Sequence, residues 1–473
     1  MTRLLVVTAT PDPAAVDGAL SGMGRVWEVY GFEGVVVLVS PSAPKLVVER
    51  LVGWARSLGA DAEAVELREG PGPGAVGEVV GAVAERCGGG EALLLVSGAS
   101  RWLASVLGLA AAELRGRGCA ATLVHVHFFF GAWSGLVYPY TPAALEPVQV
   151  LGPGEAPARG RGAGAAASRA PPLPEECGGS VLAPGRLPPL RCAVGELARR
   201  LNAGAAGRSL RVWLDGEVVG EARPLEPSST ARLAERLLEA FTGFRLGAAL
   251  QRQGNTVAAW TGLSELAVHG VERALARGRR LVLVDTNLLY YGAHLLRWEG
   301  LPVAVPECVV GEVERRLAEA MKHGRLQGGR DLVAALAYLG LLDLLGSGAP
   351  VVPTPPGPCD TAIPKADPFI LQDAVLATAD DGAYRYWRSH PASKLADAVK
   401  VYHNPSRQSW SGAEREPRRL SRLYYAAHQA LLVLGLMEAQ GMVQEAALEA
   451  EGRRIDLGKP VGVLLDALGL ATA

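Results

Sequence analysis

No run of about eighteen uncharged apolar residues occurs anywhere in the 473 residues, and the first ten lead directly into a strand-like pattern. Both absences argue against a membrane-spanning helix and a signal peptide. The six cysteines, Cys87, Cys119, Cys177, Cys192, Cys308 and Cys359, include no CxxC pair. Their scatter argues against a disulfide scaffold and a cysteine zinc site, and points to a cytoplasmic protein. No GxGxxG is present, which disfavours a dinucleotide-dependent enzyme, and no internal repeat is visible. Excess charge is missing too. The net charge is −1, so any attraction for nucleic acid must be local. Arg277, Arg279 and Arg280 form one candidate basic patch, and Arg415, Arg418, Arg419 and Arg422 another. The same residues read equally as solvated helix faces.

What is present describes a packed globular chain. Hydrophobic residues make up 49% and charged residues only 20%, and a chain this long exceeds one ordinary core, so roughly two to four domains are expected. Residues 1–147 alternate strand and helix patterns. RLLVVTAT (3–10), GVVVLVS (34–40), AEAVELR (62–68), ALLLVSG (92–98) and ATLVHVHFFF (121–130) read as strands, with helices such as 44–59 and 75–88 between them. Crossovers of that length imply a parallel, Rossmann-like layer sandwich, and FFFGAWSGLVYPY (128–140) suggests a closing hairpin. A Gly/Pro/Ala-rich linker is expected over 148–190. A small connecting segment at 191–277 holds a hairpin turning on Asp215-Gly216 and helices at 229–244 and 261–278. A second α/β domain is expected over 278–400 and a helical extension over 401–473.

The stretch LVLVDTN (281–287) carries the strongest chemical signal. Four strand-forming apolar residues run into Asp285, which places a carboxylate at the carboxyl edge of a sheet, where open α/β folds put their chemistry. AVPECVVGEVERRL (304–317) then opens a helix carrying Glu307 and Glu312. AVLATADDGAYRYW (374–387) is another strand ending on acids, Asp380 and Asp381. Strand-Asp, helix-Glu and strand-Thr-x-Asp in this order resemble the PIN-domain nucleases. That resemblance implies a PIN-like α/β/α domain with carboxylates gathered on Mg²⁺ or Mn²⁺, hydrolysing single-stranded RNA with activated water. The metal and catalytic set it implies is Asp285, Glu312, Asp360 and Asp380, with Asp381 as a further ligand and Asn287 in support. Glu307 fits equally as a first-turn residue complementing the helix dipole. Because Pro364 interrupts the helix that Asp360 would begin, Asp367 and Asp373 stay open as the third acid.

A second resemblance lies near the amino terminus. In LLLVSGASRWLASVLGLAA (93–111) a strand ends in Ser97-Gly98-Ala99-Ser100-Arg101 and a helix starts at once, so backbone N–H groups and the helix dipole face an anion. The turn is similar to the strand–TGGT(K/R)–helix motif of CARF domains, the cyclic-oligoadenylate sensors of type III CRISPR defence, although Ser and Ala replace Thr and Gly. Thr8 and Thr10 in VVTATPDP and Ser40 in VLVSPSAPKLVVE would complete the ligand pocket. The resemblance implies a homodimer binding one symmetric ligand, probed best with cyclic tetra-adenylate.

Two rival readings remain. A HEPN ribonuclease uses Arg-x(4–6)-His without metal, and Arg385…His390 and Arg422…His428 have that spacing. A ligand-responsive transcription regulator would use the middle helices on DNA, but would leave the carboxylates without a role.

Overall fold

The computed structural model describes residues 3–68, 74–128, 133, 135–151, 177, 187–204, 208–224, 226–403 and 410–470. The chain divides into two compact units. One comprises residues 1–130, 134–172 and 198–206, and the other 131–133, 173–197 and 207–473.

The amino-terminal unit is built on strands β1 (Arg3–Ala9), β2 (Gly34–Val39), β3 (Asp61–Glu66), β4 (Glu91–Leu95), β5 (Ala120–Val126) and β6 (Val148–Leu151), in sheet order β3-β2-β1-β4-β5-β6. The first five run parallel, and β6 closes the edge antiparallel to β5. Helices α1 (Pro13–Tyr30), α2 (Lys45–Ser57), α3 (Gly74–Cys87) and α4 (Arg101–Gly116) make the crossovers. Alternation along each strand sorts the core into two layers. Leu5, Val7 and Ala9 pack with α1 and α2, while Leu4 and Val6 pack with α3 and α4. This is the expected Rossmann-like sandwich. The closing strand, however, is 148–151 and not the 128–140 segment, of which residues 129–132 and 134 lie outside the described residues.

An ion network fixes the long α1. Arg25 is buried, and its guanidinium donates to Glu146 (2.6 Å), Glu28 (2.7 Å) and the Thr141 carbonyl (2.6 Å) while lying over the Tyr138 ring. Each of the three guanidinium nitrogens finds an acceptor and the ring covers one face, so the cation is tolerated in a buried site.

In the carboxy-terminal unit the strands are β7 (Leu210–Leu214), β8 (Glu217–Ala222), β9 (Leu266–Ala267), β10 (Leu281–Val284), β11 (Val303–Pro306) and β12 (Val351–Val352). They continue with β13 (Ala374–Thr378), β14 (Asp397–Lys400), β15 (Tyr402–His403), β16 (Ala446–Ala450) and β17 (Arg453–Ile455). Five of them form a parallel sheet of order β12-β11-β10-β13-β14. The helices that bear on the site are α5 (Thr286–Tyr290), α6 (Glu307–Ala320), α7 (Cys359–Ala362) and α8 (Asp381–Ser389), and the longest is α9 (Pro417–Ala439).

Two expectations about the flanks need correction. The residues after 400 are not helical throughout: β16 and β17 form a hairpin turning on Glu451 and Gly452, both at positive φ. The segment QEAALEAEG has helix-favouring composition, but pairing overrides propensity. β16 joins the Asp-Gly hairpin of β7 and β8 in one antiparallel sheet, β17-β16-β7-β8. The middle segment and the tail therefore share one sheet. The predicted helix at 261–278 also begins late, at His269, because Leu266–Ala267 pairs with Tyr402–His403. Most of the linker at 152–186 lies outside the described residues.

The cysteines also depart from expectation. Cys87–Cys119 and Cys177–Cys192 are disulfide-bonded, leaving Cys308 and Cys359 as thiols. Cys87 ends α3 and Cys119 immediately precedes β5, so the fold joins positions whose spacing gives no local signal. The argument from cysteines to a reducing compartment thereby falls. Among the described residues no helix is long and apolar enough to cross a membrane.

Candidate functional site

Both parallel sheets reverse strand order beside their first strand, between β1 and β4 and again between β10 and β13. Ligands of open α/β sheets bind in the crevice at the carboxyl ends of such strands. The carboxy-terminal crevice is acidic. Val282, Leu283 and Val284 of β10 are fully buried, and Asp285 follows at 1% exposure. Its carboxylate caps α5, accepting from the Thr286 N–H (2.7 Å), the Asn287 amide (3.2 Å) and the Thr378 hydroxyl (2.7 Å). Even so, burial and then the nearby charge of Asp360 push Asp285 up to about 6, against those hydrogen bonds.

The other acids arrive from separate elements. Glu312 projects from α6 and accepts from the Thr286 hydroxyl at 3.1 Å, whereas Glu307 is an exposed first-turn residue. Asp380 follows β13 and caps α8, accepting from the Ala383 N–H (2.8 Å), while its own N–H donates to the Thr378 hydroxyl (2.9 Å). Asp360 lies in the single turn of α7, which ends where Ile363–Lys365 turns 3-10 around Pro364. Its carboxyl is raised by burial and then by Asp380 and Glu312. Mutual fields thus tie Asp285, Glu312, Asp360 and Asp380 into one cluster.

The remaining acids lie elsewhere. Asp367 caps the helix at Pro368–Gln372. Asp373 lies at the opposite, amino edge of the sheet, where its backbone carbonyl accepts from the N–H groups of Arg280 (2.8 Å) and Leu281 (3.1 Å). Asp381 is exposed and ion-paired with Lys400, which holds it below the usual carboxylate range. Thr286 escaped the sequence reading, although its place directly after the strand aspartate was the available signal. So did the thiol pair beside the acids: Cys359 hydrogen-bonds with Cys308 and with Thr286, and it is raised by that pairing and by burial.

The donors are oxygens, the set that hard cations prefer. Among the described residues no group of three His, Cys, Asp or Glu side chains is already drawn together around an ion position.

The Arg–His pairs have other employment. His428 is buried, donates its Nδ1–H to the Tyr424 carbonyl (2.6 Å), packs edge-on to Trp133, and is held down to about 4 by burial. Arg422 pairs with Glu265 and Glu299, and His390 accepts from the Ala392 N–H. Arg277 and Arg279 pair with Asp397.

In the amino-terminal crevice Ser97 is engaged by the fold. Its hydroxyl accepts from the Val126 N–H (2.6 Å) and lies 3.0 Å from both the Val126 carbonyl and His125 Nδ1. Gly98 has φ +79°, and a Cβ there would stand 2.4 Å from the Ala15 carbonyl oxygen of α1. After Ala99, Ser100 caps α4 by accepting from the Leu103 N–H (3.2 Å), and Arg101 is exposed on the first turn. Thr8, Thr10 and Ser40 bury hydroxyls that have no partner among the described residues, at the ends of β1 and β2. Such orphans are costly in a finished core.

These features define an α/β protein with two switch-point crevices, one acidic and one lined by hydroxyls and a helix N-terminus. No protein-family model and no curated protein matches the chain.

Proposed function

We propose that the chain is a cyclic-oligoadenylate-responsive, metal-dependent endoribonuclease of the PIN type, with a CARF-like sensor at its amino terminus. The observation that carries the reading is the convergence of Asp285, Glu312, Asp360 and Asp380, from four elements, on one sheet edge. Two carboxyls raised by burial, and then by neighbouring like charge, are unfavourable in isolation. A divalent cation, when bound, would neutralise them and supply the Lewis acidity that activates water toward a phosphodiester. Asp285 and Asp380 would hold the cation, and Thr378, Thr286 and Asn287 fix the carboxylate geometry. Glu312 and Asp360 would orient water and accept its proton.

The three unpartnered hydroxyls and Arg101 support the sensor reading, since adenylate phosphates would satisfy the former and pair with the latter. A homodimer follows from the symmetry of such a ligand. The HEPN alternative loses support, because His428 is buried and Arg422 doubly paired.

The test is cleavage of single-stranded RNA with and without cyclic tetra-adenylate, in Mg²⁺, Mn²⁺ or EDTA. Ligand-stimulated cutting that leaves 5′-phosphate and 3′-hydroxyl ends and stops on chelation is expected. Cutting that survives EDTA and leaves 2′,3′-cyclic phosphates overturns the reading.

A further inference from the structure

A polyanionic substrate cannot approach four carboxylates without cations beside them, and two cations of the first patch read from sequence are already engaged. Arg277 and Arg279 pair with Asp397 near the amino edge of the sheet. The carboxyl end of β14 offers a different surface. Lys400 is the register partner of Thr378, whose hydroxyl donates to Asp285. Lys400 therefore sits one strand away from the strand that ends on Asp380, the two backbones about 4.8 Å apart.

Val401 is buried, so alternation turns Lys400 and Tyr402 to the outer side. Tyr402 is 58% exposed, although its backbone is fixed by pairing with Ala267. The Lys400 ammonium lies 4.8 Å from the centre of that ring, and its other partner is Asp381. Arg385, exposed one turn along α8, acts electrostatically on both members of that pair. An exposed ring on a paired strand, with a lysine against it and a second cation nearby, matches what an unpaired nucleotide requires: a face for the base and positive charge for the phosphate.

We propose that Tyr402 and Lys400 seat one nucleotide of single-stranded RNA beside the acid cluster, Tyr402 stacking its base and Lys400 leaving Asp381 to hold its phosphate. This inference rests on the ribonuclease reading for its choice of RNA. Asp381 is then the resting counterion of Lys400 and not a metal ligand.

The experiment uses the full chain carrying Asp285→Asn, so that RNA is bound without being cut, and a fluorescent 12-nucleotide single-stranded RNA followed by anisotropy. Tyr402→Ala should weaken binding about tenfold or more, while Tyr402→Phe binds like the parent. Lys400→Gln should lower the slope of log affinity against log salt by about 0.7. Duplex RNA of the same sequence should compete poorly, since its base faces are covered. Unchanged melting temperatures would show that an exposed surface, and not the fold, was altered. A parent that binds no RNA, or Tyr402→Ala and Lys400→Gln variants that bind like the parent, overturns the proposal. Cleavage by the unsubstituted chain is scored separately. RNA binding lost in the variants without any metal-dependent cutting would reject the nuclease reading and keep this surface. Normal cutting with normal variant binding would do the reverse.

Discussion

Asp285 illustrates the conflict between stability and function in a single side chain. A carboxyl raised from 3.8 to about 6 binds protons more readily in the folded chain than in the unfolded one. Its contribution is therefore full below pH 4 and lost as pH rises through 6. Asp285→Asn should abolish metal-dependent cleavage and also stabilise the metal-free protein at pH 7, by up to about 3 kcal/mol. That gain should vanish below pH 4 in thermal melts, and a variant less stable than the parent at pH 7 would contradict the picture. At the other crevice, Arg101→Ala should weaken cyclic tetra-adenylate binding about tenfold by calorimetry, through loss of a charge-assisted bond, with melting unchanged because Arg101 is exposed. Gly98→Val is no clean probe of the ligand, since its side chain would strike α1 first.

Single elements show why some of the fold was legible and some was not. The run LVLVDTN announced both a strand and its terminal carboxylate, and β10 with Asp285 follows it closely. Asp360 was ambiguous because Pro364 breaks its helix, yet one turn suffices to hold it in the field of the other acids. The tail was misread because Ala and Glu favour a helix locally, while β7 supplies a sheet edge from far away in sequence. The anchoring of α1 was not legible at all, as Arg25 and Glu146 are 121 residues apart. Removing one member of such a pair strands the other in a dry site. Glu146→Gln should therefore destabilise the amino-terminal unit by about 3–5 kcal/mol in denaturant titration, against less than about 1 kcal/mol for an exposed pair such as Arg117–Glu113.

At the scale of the whole chain, buried histidines set an acid limit. Burial holds His294 down to about 3, and His403 and His428 to about 4, against 6.5 when unfolded. Groups depressed in this way contribute stability that is present above pH 6.5 and lost as pH falls. Three of them should cost the carboxy-terminal unit about 2 kcal/mol between pH 7 and 6, of which the opposing titration of Asp285 in the same interval returns roughly 0.4 kcal/mol. Melting temperatures that stay flat across that interval would mean that these rings meet solvent. The antiparallel sheet sets a different limit, one of time. The Asp215 carboxylate accepts from the Gln444 N–H, 229 residues onward. At about 5–20 residues per second a ribosome needs roughly 10–50 s to deliver the second half of that contact. The β7–β8 hairpin must wait through synthesis of the entire acid-bearing sheet with one edge unpaired. Nascent chains stalled before residue 446 should thus be the form that chaperones hold and proteases clip.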